Sequence, residues 1–266
     1  MQAMNGKSII ITGAGTGLGA ATAIGLARQG ANIAVNYSAS ADAAESVAEA
    51  CRGEGVQAFT VKASVAEFAD CQTLVAATVE KLGGVDALIN NAGITKMADQ
   101  SDLDALEAAD FERIYRVNVI GAYQMVRAAR GALELSGEGA VVNVSSMAGM
   151  RGIGSSIAYA ASKGALNTMT LSLARSLAPR IRVNAVCPGY VASGWFTKWG
   201  DKDKEEALAR YAAQTNPLQR VATPEDVAEL IMFLAGPASR NITGELIMTD
   251  AGMHLGPAPR MARDKA

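Results

Sequence analysis

Short, unbroken apolar runs alternate along this chain with longer segments of helical spacing, and no other feature restricts its fold as much. Ser8-Ile9-Ile10-Ile11 opens the series and stops at a cluster of glycines. A strand with one wet face alternates apolar and polar residues, so an undivided run reads as a strand covered on both faces. Runs of this kind predict strands over 8–11, 33–35, 56–61, 87–89, 140–144, 181–186 and 245–248. Helical spacing predicts helices over 18–29, 41–54 and 66–82, one long helical region over about 103–135, and helices over 155–177, 202–213 and 224–234. Gly30 and Pro179 supply stops, and Pro224 suits a first helical turn. Regular β-α alternation implies an α/β fold with a parallel sheet between two helical layers, and right-handed crossovers make it doubly wound. No linker and no solenoid-period repeat interrupts the pattern, which predicts a single domain over 1–266.

Composition excludes several function classes. Of 266 residues, 50% are hydrophobic and 19% charged, enough apolar material for a large core. Lys+Arg number 24 against 26 Asp+Glu, a net charge of −2, which leaves no basic surplus to hold nucleic acid or an anionic membrane. Aromatics are 5%, too few for base-stacking platforms. Cys51, Cys71 and Cys187 are far apart and odd in number, and His254 is the single histidine, so no metal site is expected. Three unpaired thiols suit a reducing, cytoplasmic setting. The uncharged stretch 8–27 is too rich in glycine and threonine for a signal segment or a membrane span. The 256–266 tail is expected to be mobile or docked on a neighbour.

Two motifs carry chemistry. Thr12-Gly13-Ala14-Gly15-Thr16-Gly17-Leu18-Gly19 joins the first strand to the first helix. In a doubly wound sheet this is where ligands bind: glycines let the backbone approach a pyrophosphate, and the helix N-terminus offers unpaired N–H groups. No Gly-Lys-Ser/Thr follows, so it is not a nucleoside-triphosphate loop. A glycine-rich turn without a ligand is the alternative. The second motif is Tyr159 and Lys163, four apart on one helix face, with Ser145 and Ser146 at the end of the preceding strand. A phenol of pKa about 10 is a poor acid-base at neutral pH, and a nearby ammonium is expected to lower it. Taken alone, such a pair is as well explained by a surface contact, and the serines by capping.

Together these elements resemble the short-chain dehydrogenase/reductase family, and the resemblance covers nearly the whole chain. The Thr12–Gly19 loop matches T-G-x-x-x-G-x-G, Asn90-Asn91-Ala92-Gly93 matches N-N-A-G, and Tyr159-x-x-x-Lys163 matches Y-x-x-x-K with Ser146 thirteen residues upstream. Asn118 and Pro188-Gly189 match two further family elements. The resemblance implies a Rossmann-type fold and a catalytic tetrad of Asn118, Ser146, Tyr159 and Lys163. It implies hydride transfer from NAD(P)H to a carbonyl, with Tyr159 donating the proton, Ser146 holding the oxygen, Lys163 binding the nicotinamide ribose and Asn118 holding a water. It also implies cofactor contacts at Gly13, Thr16, Gly17, Leu18, Gly19, Tyr37, Ser38, Ser64, Val65, Asn91, Ala92, Gly93, Tyr159, Lys163, Pro188, Gly189, Val191 and Ser193.

Tyr37 stands where NAD-dependent members carry an aspartate, which favours NADP(H), with NAD as the alternative; Thr16 and Ser38 are donors for a 2′-phosphate. One departure weighs the other way: the glycine loop has no arginine, where many NADP-dependent members carry one; at the adenine edge Ala63-Ser64-Val65 replaces the family's Asp-Val, where Ser64 still offers a hydrogen bond to an amino group. Substrate contacts are expected from 94–98, 147–155 and a covering segment at about 190–216, where Met147, Met150, Ile153, Tyr190, Trp195, Phe196 and Trp199 are apolar or amphipathic. The chain is most similar to the 3-oxoacyl-acyl-carrier-protein reductase branch, implying reduction of a small-molecule ketone, with acyl carrier protein as a further partner. Lys202, Lys204 and Arg210 either meet that carrier or form a solvated face. An NAD-dependent alcohol, polyol or steroid dehydrogenase, a non-catalytic dinucleotide-binding module and a methyltransferase-like enzyme are the competing readings. Ala122, Met125, Val126, Ala129, Ala165, Met169 and Leu173 are expected to form an outward stripe, paired across a two-fold axis in the family's usual homotetramer.

Overall fold

The structure, a computed structural model, describes residues 4–195 and 202–257. Seven apolar runs among them become strands: β1 (Ser8–Ile11), β2 (Asn32–Tyr37), β3 (Ala58–Lys62), β4 (Ala87–Asn90), β5 (Gly139–Val144), β6 (Ile181–Pro188) and β7 (Leu246–Thr249). All pair in parallel in the order β3-β2-β1-β4-β5-β6-β7. Ile10 lies opposite Ala34 on one side and Leu88 on the other. The chain order reverses between β1 and β4, which opens a crevice at the carboxyl ends of these strands.

Every residue of β1, β4 and β5 is buried, as undivided runs require. Side chains alternate faces along a strand. Ile9 and Ile11 therefore pack with α1 (Gly17–Arg28), α2 (Ala41–Gly53) and α9 (Pro224–Ala235), through Leu26, Val47 and Ile231. Ile10 points the other way, among Leu74 of α3 (Phe68–Leu82), Met125 of α5 (Ala122–Leu135) and Leu177 of α7 (Ile157–Leu177). Each fully buried Ile or Leu in these two layers contributes about 1.5–3 kcal/mol. Local chemistry sets the helix ends. Thr223 caps α9 with Asp226 in a reciprocal capping box and Pro224 in the first turn, and Gly83 ends α3 with a φ of +84°. No helix among the described residues is long and apolar enough to cross a membrane. Cys51, Cys71 and Cys187 are free and buried, and burial pushes each thiol up to about 11.

The structure departs from the sequence expectation in three places. The region 103–135 is not one helix. A 3-10 turn at Leu103–Ala105 is followed by α4 (Ala108–Tyr115), a π-helical segment (Arg116–Gly121) and α5. The carboxylate of Asp102 accepts from the N–H of Asp104, and Glu107 and Asp110 form a new capping box, so polar side chains end one turn and start the next. A short helix, α6 (Ala148–Arg151), follows β5 and closes at Gly152, whose φ is +67°. The expected outward stripe is wrong for α5. Ala122, Met125, Val126 and Ala129 are buried, all but Ala122 in the layer against the sheet, while Ala165, Met169 and Leu173 are half-buried. The sheet takes the most apolar side of α5, and Ile120, Tyr123, Ile157 and Leu171 are left exposed. The remaining helix, α8 (Lys202–Thr215), follows the 190–195 loop, and residues 258–266 of the tail lie outside the described residues.

Candidate active site

A cleft of about 1360 Å³ lies over the carboxyl ends of the strands, large enough for a dinucleotide and a substrate together. Gly13, Thr16, Gly17 and Leu18 line one end, with Tyr37, Ser38, Ser64 and Val65 beside them. The positive φ values of Gly13 (+62°) and Gly17 (+56°) turn the loop, and a Cβ on Gly13 would stand 3.0 Å from the Cα of Ala92. Gly19 does not line the cleft. It sits beneath the loop, where a Cβ would come within 2.6 Å of Asn91 Nδ2 and the Gly13 carbonyl. Thr16, at the helix N-cap, makes no side-chain cap, and the first turn of α1 carries no acidic residue. Its N–H groups are thus left to an anion from the cleft, which suits the pyrophosphate of a dinucleotide.

Hydrogen bonds that the motifs do not advertise hold this loop. Asn36, buried in β2, accepts from the Gly13 N–H at 3.2 Å and donates to the Ala63 carbonyl at 2.9 Å. Thr12 Oγ1 accepts the N–H groups of Asn91 and Ala92 at 3.0 Å each, and Asn91 Nδ2 donates back to the carbonyls of Thr12 and Gly13. Sequence reasoning passed over Asn36, although an asparagine in an apolar strand was a signal that it has a partner. Ser64 keeps its place through its N–H, which donates to Asp70 Oδ2 at 2.8 Å. No carboxylate stands at Tyr37 or Ser38.

Asn91, Ala92 and Gly93 line the middle of the cleft, and Ser146, Tyr159 and Lys163 meet at its other end beside Pro188, Gly189, Val191 and Ser193. Ser156 caps α7 by accepting from the Tyr159 N–H at 3.2 Å, which fixes the turn that carries the phenol. Ser146 Oγ accepts from the Ala148 N–H at 3.1 Å and stands near enough to the Tyr159 phenol to act on its pKa. Tyr159 keeps some exposed surface at the cleft floor, yet desolvation pushes its phenol up to about 12, with the Ser146 hydrogen bond pulling the other way. Burial is thus the larger influence on this phenol, and the Ser146 hydroxyl opposes it. Lys163 is itself buried. Its Nζ donates to the Val144 carbonyl at 2.8 Å and lies 5.6 Å from the centre of the Tyr159 ring. Desolvation brings the ammonium down to about 8, opposed by the neighbouring Cys187 thiol in its charged form.

Asn118 is buried behind this group, in the π-helical segment, a distortion common at functional sites. Its Oδ1 accepts from the Ile94 N–H at 2.8 Å, and its Nδ2 donates to the Ile94 carbonyl and to Ser162 Oγ at 3.0 Å each. Ser162 in turn donates to the Tyr159 carbonyl at 2.7 Å. A Cβ on Gly93 would stand 3.5 Å from Asn118 Oδ1 and 3.7 Å from Lys163 Nζ, so glycine keeps that space open.

The outer wall is apolar. Met97, Met147, Ile153, Tyr190, Trp195 and Leu208 line it, with Met253 arriving from beyond β7. Met150 does not take part, because α6 turns it outward. Phe196 and Trp199, and the side chains of Lys202 and Lys204, lie outside the described residues. Tyr190 OH donates to the Glu205 carbonyl and the Gly194 N–H to Glu205 Oε1, both at 3.1 Å, which ties α8 to the loop after β6. Arg210 is exposed and pairs with Glu206.

Similarity to known proteins runs the length of the chain. A family model described as Enoyl-(Acyl carrier protein) reductase matches residues 13–254. A Staphylococcus aureus protein named 3-oxoacyl-(acyl-carrier-protein) reductase FabG is 34% identical over 94% of this chain and 98% of its own. A solved Burkholderia xenovorans structure, provisionally named a short-chain dehydrogenase/reductase, superposes with a TM-score of 0.87 at 42% identity, covering 94% of this chain and 98% of that one. A 7α-hydroxysteroid dehydrogenase solved with NADH and 7-oxo glycochenodeoxycholic acid gives 0.85 at 30% identity, over 94% and 95% of the two chains.

Proposed function

Since this chain belongs to the short-chain dehydrogenase/reductase family, whose members interconvert CH–OH and C=O groups with NAD(P), we propose that it reduces a hydrophobic ketone to a secondary alcohol with NADPH. A 3-oxoacyl thioester is the foremost candidate, and the name of the Staphylococcus aureus relative suggests acyl carrier protein as its carrier. The observation that carries the reading is the meeting of Ser146, Tyr159 and Lys163 on the floor of a cleft whose outer wall is apolar. The nicotinamide of a dinucleotide held by the glycine loop and Asn91–Gly93 would supply hydride chemistry at the carbonyl carbon. Ser146 Oγ holds the carbonyl oxygen, and Tyr159 delivers its phenolic proton there. A phenol pushed up to about 12 keeps its proton at neutral pH, which favours the reductive direction. Lys163 binds the nicotinamide ribose, and Asn118 and Ser162 hold the backbone on which Tyr159 rides. From the described parts of the covering segment, Trp195 and Leu208 stand against the apolar part of the substrate. Oxidation of NADPH with a panel of 3-oxoacyl thioesters, steroid ketones and sugars tests the reading; turnover of sugars alone would refute it. A second reading, NAD-dependent oxidation of a hydroxysteroid, draws on the structure solved with NADH.

Cofactor choice follows from the end of β2. Tyr37 and Ser38 offer hydroxyls where a carboxylate would repel a 2′-phosphate. NADPH is expected to exceed NADH in kcat/KM by about tenfold or more, equivalent to about 1.4 kcal/mol. Tyr37→Asp should erase or reverse the preference, and equal use of both cofactors by the wild type would refute it.

The assembly proposed is a homotetramer. Ile120 of the π-helical segment, Tyr123 of α5, and Ile157 and Leu171 of α7 are exposed apolar side chains suited to a two-fold helix contact. The edge strand β7 is suited to a second. Light scattering at micromolar concentration should give four times the 27.4 kDa chain mass. Tyr123→Glu should halve that value or reduce it further.

A further inference from the structure

Two serines follow β5, and the reaction proposed above uses Ser146. Ser145 is buried at the cleft lining, with its hydroxyl engaged by α7. Its Oγ lies 2.6 Å from Asn167 Oδ1 and 3.3 Å from the Lys163 carbonyl, so its one proton serves two acceptors a helical turn apart on α7. Its own N–H donates to the Val186 carbonyl at 2.8 Å, which ties it to β6. The preceding residue holds the other end of the same lysine, because the Val144 carbonyl accepts from Lys163 Nζ at 2.8 Å. Cys187 Sγ reaches Asn167 Oδ1 at 3.7 Å from the end of β6.

We propose that Ser145 is a positioning residue: by gripping Asn167 and the Lys163 carbonyl it sets the register of α7 against the end of β5, and so the place of Tyr159 and Lys163 relative to Ser146. The contact on the opposite side shows how little slack that register has. A Cβ on Gly149 would stand 2.5 Å from the Lys163 carbonyl carbon and 2.6 Å from the Gly164 nitrogen, so α7 is seated directly on the backbone of α6. Ser146, which lines the cleft beside Tyr159, is covalently next to Ser145, so freedom gained at Ser145 passes to the placing of the Ser146 hydroxyl against the phenol.

This inference rests on the reading of Tyr159 as the proton donor, and its test separates the two. Ser145→Ala, Ser145→Thr, Asn167→Ala and the double Ala variant are compared with Tyr159→Phe for kcat, NADPH affinity and the pH profile of alcohol oxidation. Ser145→Ala should lower kcat about tenfold or more, with NADPH binding changed less than about threefold, because small displacements of reacting groups cost rate before they cost binding. The pH of half-maximal oxidation should rise, since a displaced Ser146 hydroxyl no longer opposes the upward push of burial on the phenol. Ser145→Thr, which keeps the hydroxyl, should restore the wild-type profile. The Ala double variant should be no worse than the more damaging single one, as for two residues acting through one contact. An unchanged kcat and pH profile in Ser145→Ala, or strictly additive effects, would overturn the proposal. If Ser145→Ala fails to fold, Asn167→Ala takes its place under the same criteria. An active Tyr159→Phe overturns the functional reading, whereas an inactive Tyr159→Phe beside an unaffected Ser145→Ala overturns Ser145 alone.

Discussion

Tyr159→Phe is expected to lower kcat for ketone reduction about 10²–10⁴-fold, the usual contribution of general acid-base catalysis. The substitution deletes one oxygen and keeps the ring that packs at the cleft floor. What is lost is the proton for the product oxygen and the interaction with Ser146. Even a full hydrogen bond is worth only about 0.5–1.5 kcal/mol to a fold, so the variant should remain folded. NADPH affinity should stay within a few-fold, because the glycine loop and the Asn36 and Asn91 ties that hold it do not involve the Tyr159 hydroxyl. Steady-state reduction of an accepted ketone, beside fluorescence titration with NADPH, is the measurement. Turnover above about one tenth of wild type would remove Tyr159 from its role.

Lys163→Met is expected to abolish turnover, to weaken NADPH binding, and to stabilise the cofactor-free protein. The first two effects follow from the proposed ribose contact and the placing of the ammonium beneath Tyr159. The third follows from burial. Lys163 falls from its usual 10.5 to about 8 because the fold desolvates its charge. Between about pH 8 and 10.5 the unfolded chain holds a proton that the folded chain has released, so wild-type stability rises with pH across that window. Below about pH 8 the lysine is charged in both states and the full cost of burying it remains. Methionine avoids that cost, about 1–3 kcal/mol, less whatever is lost when the Val144 carbonyl gives up its donor. At pH 7 the apo variant should therefore melt roughly 2–6 °C above wild type. The gap should narrow as pH rises from 7 to 9, and saturating NADPH should reverse the order by stabilising the wild type more. A variant that melts below wild type at pH 7 would show that the Val144 contact outweighs the desolvation.

The sequence by itself determined the layers of this protein. Undivided runs such as Ile9-Ile10-Ile11 can be satisfied only between two helical layers, and every residue of β1 is buried. The glycines after β1 and the four-residue spacing of Tyr159 and Lys163 are local relations, so they survive translation from sequence to space without knowledge of the partners. The cleft accordingly gathers both motifs. Tertiary structure decided what depends on neighbours distant in the chain. The helical composition of 103–135 does not reveal that Asp102, Glu107 and Asp110 divide it, nor that a π-helical segment places Asn118 against Ile94. Apolar spacing located the stripe on α5 but not its direction, since a helix shows the same period whether its apolar side meets the sheet or a second subunit. Ser145 and Ser146 are indistinguishable as letters. One faces Tyr159 and the other Asn167 because β5 ends there and α7 crosses it. The acid strength of Tyr159 was likewise beyond the sequence, for a phenol's pKa reports how much water the finished fold removes from around it, and that quantity exists only after packing.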